Sequence, residues 1–269
     1  MEAASIGPRR ANPADTALGV AAKLWFAAMV AGQASFLTFV VAFYGPTIVS
    51  GNYAAWDANP FLSDGYVEGD VVGNLAFAAH VVFAALILLA GLMQLIPAIR
   101  RRAAWLHRWN GRVFLTAAML AALSGLWLDI TREIAKEGLA SNFAISLNGL
   151  LVLAFGALAW RAAARRDIAA HQRWALRAFV VINGVFFLRM MVFGAIILVQ
   201  RELPEVVFKA MGYASYLVPL ALVEFYIRAK EGGTTLRVAA AMVIAAASAY
   251  MALGVIGYTL IFVNRVLGA

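Results

Sequence analysis

Cysteine is absent from this 269-residue chain, which excludes disulfides, thiolate metal sites and a cysteine nucleophile. Histidine is scarce: His80, His107 and His171 are the only three, so a two-haem arrangement with four imidazole ligands is excluded. Charged residues make up 13% of the chain, about half the share found in a soluble domain. No Gly-x-Ser-x-Gly, His-Glu-x-x-His or phosphate loop occurs, so hydrolase and nucleotide chemistry have no support. The last apolar run holds no lysine that could form a retinal Schiff base, and Lys23, Lys136, Lys209 and Lys230 all sit at run ends or in loops. No convincing inverted repeat is visible.

What is present is apolar. The chain is 64% hydrophobic with a mean hydropathy of +0.82. Apolar runs cover residues 24–44, 71–96, 113–130, 143–160, 175–199, 210–227 and 236–263. Each is near or above the roughly 20 residues a helix needs to span a bilayer. The pattern predicts an all-α polytopic membrane protein, a seven-helix transmembrane bundle. The first run is too long for a signal-peptide core, so residues 1–22 are expected to be a short cytoplasmic tail and 23–269 a single transmembrane domain. Gly212 and Pro219 predict a kink in the sixth run.

The net charge of +8 does not point to nucleic acid, because the basic residues form no continuous patch. They fall in turns between apolar runs. The turn within 91–115 carries Arg100, Arg101, Arg102, His107, Arg108 and Arg112 and no acid. An echo at 160–179 carries Arg161, Arg165, Arg166, His171, Arg173 and Arg177. The opposite side holds only Arg132, Lys136, Arg201, Lys209 and Arg265. This asymmetry predicts a cytoplasmic N-terminus and contact between the arginine clusters and anionic phospholipid of the bilayer. Trp105, Trp109 and Trp174 beside the arginines read as interfacial anchors. The loop 45–70 holds Asp57, Asp64, Glu68 and Asp70 without Lys or Arg, and Tyr53, Trp56, Phe61 and Tyr66. It is expected to be an extracytoplasmic loop whose aromatics settle at the interface or cap the bundle.

Polar side chains inside hydrocarbon are costly and normally face the bundle interior. His80, Ala84, Gly91 and Gln94 share one face of the second run, and Ala118, Ala122, Gly125 and Asp129 one face of the third. The second set is a small-residue seam that permits close approach. At ~1.5 Å rise per residue, His80 lies ~6 Å outward of its helix midpoint, Arg189 ~3 Å and Asp129 ~11 Å, with a long arginine able to bridge the difference. Asn148 has a depth similar to His80. The expected outer layer is therefore His80, Asp129, Asn148 and Arg189, a candidate ligand site or a buried Arg–Asp pair. The expected inner layer is Gln94, His107, Arg112, His171, Arg177 and Glu224. Glu224 also has a plain alternative, a helical ion pair with Arg228 one turn away.

Gln94, Arg100, His107-Arg108 and Gly111-Arg112 form a spaced pattern. It continues with His171, Trp174 and Arg177 at the mouth of the fifth run, Arg189 within it and Glu224 on the sixth. The pattern resembles the signature of a bacterial family of predicted multi-pass membrane proteins, domain of unknown function 2306, over roughly residues 75–228. His80 sits where that family carries a membrane histidine. Relatives have a proline shortly before the loop histidine and a second arginine after the later one, whereas this chain has Ala104, Trp105 and Gln172 there. The resemblance implies the architecture, a bacterial inner (cytoplasmic) membrane and the choice of residues; it brings no established activity.

Three functions fit these residues. The first is binding of a cofactor or lipophilic ligand in an intramembrane polar pocket, a quinone near His80 and Arg189 or one b-type haem on His107 and His171, in a redox-type role. The second is proton- or ion-coupled transport through the two layers. The third is a non-enzymatic assembly or lipid-binding protein acting with an oligomeric or partner subunit.

Overall fold

The computed structural model describes residues 12–58, 65–134 and 139–263. Phe61, Asp64, Lys136 and Arg265, and residues 1–11 of the expected tail, lie outside the described residues. All regular structure among the described residues is helical.

Helix α1 (Pro13–Phe39) begins within the segment read from sequence as a tail. Asn12 caps it by accepting from the Ala14 N–H at 3.0 Å, Pro13 occupies the first turn and Asp15 favours the positive helix end. Leu18 and Ala21 are buried against Ala240, Ala241 and Ile244, and Asp15 pairs with Arg237 at 2.8 Å. That early burial explains why the helix starts before the apolar run. It continues through a π-helical turn (Val40–Tyr44) into α2 (Gly45–Ser50). Then follow α3 (Val71–Leu95), α4 (Pro97–Arg102), α5 (Ala104–Leu128), α6 (Leu139–Ala164), α7 (Ile168–Ile182), α8 (Gly184–Val199), α9 (Glu205–Glu231) and α10 (Thr234–Tyr258). Further π-helical turns extend α5 (Asp129–Ile134) and α10 (Thr259–Val263).

Among the described residues six helices are long and apolar enough to cross a membrane: α1 with α2, α3, α5, α6, α9 and α10. The pair α7 and α8, bent by 55°, meets the same length and apolarity only together, and brings the count to seven if it is one span. The closest pairings are α1 with α10, α3 with α5, α8 with α10, and α6 with α7. The bent pair holds the most deeply buried run of the bundle: Phe179, Val180, Val181, Phe186 and Met190 are all nearly inaccessible. Between α8 and α10 the backbones nearly touch. A Cβ on Gly254 would overlap the Met190 carbonyl, and Tyr250 donates its hydroxyl to the Met191 carbonyl at 2.7 Å.

In the sixth run α9 continues through Pro219 as one helix. A break of the helix falls in the fifth run, at Asn183. Its Nδ2 donates to the Phe179 carbonyl at 2.8 Å, a side-chain bond that competes with the helical ladder, and Gly184 is a weak helix former.

At the loop end, Trp56 is fully buried. It donates Nε1 to Thr47 Oγ1 at 2.7 Å and lies among Tyr44, Tyr53 and Phe77. The loop aromatics thus cap the bundle. Arg132, only 6% exposed, clamps the loop. It donates to Asp70 at 2.8 Å, to Asn74 Oδ1 at 2.9 Å and to the Gly65 carbonyl at 3.3 Å. Asn74 in turn pairs with both the N–H and the carbonyl of Val67, and Asp70 caps α3 through the Gly73 N–H at 2.8 Å.

Candidate functional site

The α3–α5 seam carries a ladder of polar contacts from one end to the other. His80 Nδ1 lies 2.9 Å from the Ala121 carbonyl and 3.2 Å from Ser124 Oγ, with Gly125 directly beneath the ring. The carbonyl needs a donor, so Nδ1 carries the proton. Farther along, Asn110 donates to the Ala90 carbonyl at 2.7 Å and Gln94 to the His107 carbonyl at 3.2 Å. The small-residue seam expected on α5 is present, and His80 fills it as a satisfied interhelical contact.

The outer layer expected from depth does not assemble as one site. Asp129 is buried and accepts from the Ser146 hydroxyl on α6, while its Oδ1 has no partner. Asn148 lies against Gly184 at the helix break. Arg189 is elsewhere, on α8. Its guanidinium sits 4.7 Å above the Phe36 ring and makes one long hydrogen bond, 3.3 Å to the Val185 carbonyl. Among the described residues no carboxylate pairs with it, so the Arg189–Asp129 pair considered above is replaced by Asp129–Ser146, and His80 and Arg189 have separate surroundings. Sharing a depth did not bring them together, because His80 faces α5 and Arg189 faces α1.

Around Arg189 the walls are aromatic. Phe39, Phe193, Phe262 and Tyr258 form a mutually packed cluster. A narrow cleft of about 60 Å³ is lined by Phe39, Leu188, Arg189, Val192, Phe193, Phe208 and Phe262, and Phe208 is exposed. A larger hollow of about 410 Å³ lies at the loop end beside Tyr53 and Tyr66. Among the described residues no Asp, Glu, Lys, Arg or His lines it.

The inner layer assembles in part. Arg177 and Glu224 form a two-pronged pair across α7 and α9, at 2.5 and 3.0 Å. Glu224 therefore faces Arg177, not Arg228 on its own helix. Arg177 also lies 4.9 Å over Trp174, which packs on Phe155; Trp174 is thus a half-buried partner, while Trp105 and Trp109 are exposed as interfacial anchors would be. Arg112 stacks outward on Trp109 at 5.0 Å and does not join the layer. His171 Nδ1 lies 3.0 Å from the Ala159 carbonyl. His107 is within electrostatic reach of His171, Arg100 and Arg108, and its buried Nδ1 has no partner. Among the described residues no group of three or more His, Asp or Glu could hold a metal ion.

Several buried or half-buried polar residues were not singled out by sequence reasoning: Gln33, Asn183, Asn74, Ser124, Ser146 and the Asp70–Arg132 clamp. Signals for two of them existed. Gln33 is an amide inside the first apolar run, and Asn183-Gly184 is a turn dipeptide inside the fifth.

No curated protein and no solved structure matches the chain. The family model described as "predicted membrane protein (DUF2306)" matches residues 77–227, more than half of the chain, from the start of the His80 turn to one turn past Glu224. On that match the chain belongs to the family of predicted membrane proteins defined by domain of unknown function 2306.

Proposed function

We propose that this protein binds a lipophilic ligand whose head group bears hydrogen-bond-accepting oxygen, with a quinone carbonyl as the type, in the cleft beside Arg189. The observation that carries this reading is the state of Arg189: a guanidinium in apolar surroundings with five donors and one long hydrogen bond. A carbonyl or carboxylate oxygen entering the cleft would satisfy it. The aromatic walls suit a flat ring, and an isoprenoid or acyl tail would stay in lipid beside Phe208. A redox-type role follows if the ligand is a quinone. The same proposal puts the arginine-rich end in the cytoplasm, with Arg100, Arg101 and Arg102, all exposed, against anionic phospholipid.

Two measurements test it. Organic extraction of the purified protein should release a stoichiometric quinone or other oxygen-headed lipid. A short-chain quinone should raise the melting temperature of stripped wild type and leave Arg189→Met unmoved. An equal shift in both proteins removes the cleft from consideration.

A second reading is one haem on His107 and His171. It is favoured by the Nδ1–H of His171 donating to a carbonyl, the usual orientation device of a ligating imidazole. A visible spectrum decides it: a Soret band lost in His171→Ala is expected, and its absence from wild type ends this branch.

A further inference from the structure

We propose that Asp129 is a proton-exchange site: its buried carboxyl binds a proton, with Ser146 as its hydrogen-bond partner, and trades it with water at the loop end of the bundle. This inference uses none of the residues of the Arg189 cleft and does not rest on the quinone reading.

The argument starts from how little Asp129 has to balance a charge. It is 4% exposed, and among the described residues it is the only buried carboxyl. Its Oδ2 accepts from the Ser146 hydroxyl on α6, and its Oδ1 is buried without a partner. Asp15, Asp70 and Glu224 each face an arginine. The charged groups near Asp129 are committed elsewhere. On its own helix, Arg132 donates to Asp70, Asn74 and the Gly65 carbonyl. On α3, the His80 ring packs on Gly125, one turn before Asp129, and its Nδ1 is taken up by the Ala121 carbonyl. On α6, the only charged side chain is Arg161, near the other end of that helix. Asp129 also closes α5, where the main-chain dipole turns its negative pole toward a carboxylate.

A buried carboxylate with one neutral donor is the costly case, and a proton on its free oxygen removes the charge. A proton also needs no room. A metal ion or an amine needs a cavity, and Asp129 lines neither of the two hollows described above. Ionisable side chains sunk in a span are the elements from which proton relays are built. The loop end is the way in and out. Asp129 and Arg132 are the first and fourth residues of one π-helical turn, so releasing the Arg132 clamp from Asp70 loosens the turn that carries the carboxyl.

The experiment is infrared spectroscopy of the full chain at neutral pH, in a detergent free of carbonyl groups, read where protonated carboxyls absorb. Wild type should show a band that Asp129→Asn lacks, and Ser146→Ala should move that band to higher frequency by removing its hydrogen bond. Arg189→Met should leave it in place. Transfer to deuterium oxide should shift the band as O–H becomes O–D, several-fold faster in Asp70→Asn, whose clamp is broken. Identical spectra for wild type and Asp129→Asn mean that the carboxyl is charged, and overturn the proposal. So does a band that resists deuterium in both wild type and Asp70→Asn, since the acid is then a fixed structural group. If Asp129→Asn does not fold, Ser146→Ala decides the matter alone: a band that stays where it is overturns the assignment to Asp129.

Discussion

Replacing Arg189 by methionine separates a ligand-binding arginine from a structural one. A lone arginine near the centre of a membrane helix costs about 2.5–3.5 kcal/mol on insertion scales. Stacking over Phe36 at 4.7 Å returns about 1–2 kcal/mol at a desolvated site. The long bond to the Val185 carbonyl adds about 0.5–1 kcal/mol. In the ligand-free protein these leave roughly 1 kcal/mol unfavourable, and methionine fills a similar volume without the charge. Stripped Arg189→Met should therefore melt about 2–4 °C above stripped wild type. With a short-chain quinone the order should reverse, because only wild type gains stability from binding. Differential scanning of both proteins, with and without ligand, gives the four melting temperatures needed. If stripped Arg189→Met melts several degrees below wild type, the guanidinium holds the α1–α8 contact together, and the case for a ligand at that position fails.

Glu224→Gln should lower stability by about 1–2 kcal/mol, since it leaves Arg177 half-buried without its charge partner, with partial exposure of both groups moderating the loss; Arg177→Met combined with Glu224→Leu should recover most of it, and additive losses in a double-mutant cycle would contradict the pairing. The Asp70 carboxyl is held below its usual range by the Gly73 N–H it accepts, then by Arg132. A depressed carboxylate contributes stability above its unfolded value of 3.8 and loses it as pH falls through the lower folded value. Limited proteolysis within 53–70 should stay slow from neutral pH down to about pH 4 and quicken below it, whereas Asp70→Asn should be cut readily at neutral pH; loop release already at mildly acidic pH would refute the clamp. Gly254→Ala should cost about 1–3 kcal/mol by overpacking, because the group it meets is the Met190 main chain, and a melting temperature equal to wild type would show that α8 and α10 are looser than their contact implies.

The spans were legible in the sequence because length and apolarity are one-dimensional properties. The runs at 71–96 and 143–160 contain or lie within α3 and α6, and the small-residue face of α5 packs where its spacing says it should. The start of α1 was missed although Asn12, Pro13 and Asp15 form a helix-start signature, because the stretch behind them was read as a tail ahead of the apolar run. Arg132 read as a topology charge only. Its partners become visible once the π-helical turn after Leu128 carries it past the apolar run toward Asp70 and Asn74.

Pairing between helices is a different kind of information. Rise per residue fixes how deep a side chain lies, and the helical period fixes which side of its own helix it occupies. Neither says which helix stands on that side. His80, Asp129, Asn148 and Arg189 were grouped by depth, yet they look toward α5, α6, the α7–α8 break and α1 respectively. The grouping that the fold does make is Gln33 with Asn183, at the bend itself. Asn183 keeps its main-chain bonds to Phe179 and Phe187, and its side chain at the bend is what meets Gln33. The break thus makes neighbours of two amides inside the apolar core, which is why chemistry in this bundle is to be sought where a span is interrupted as well as where a charge is buried.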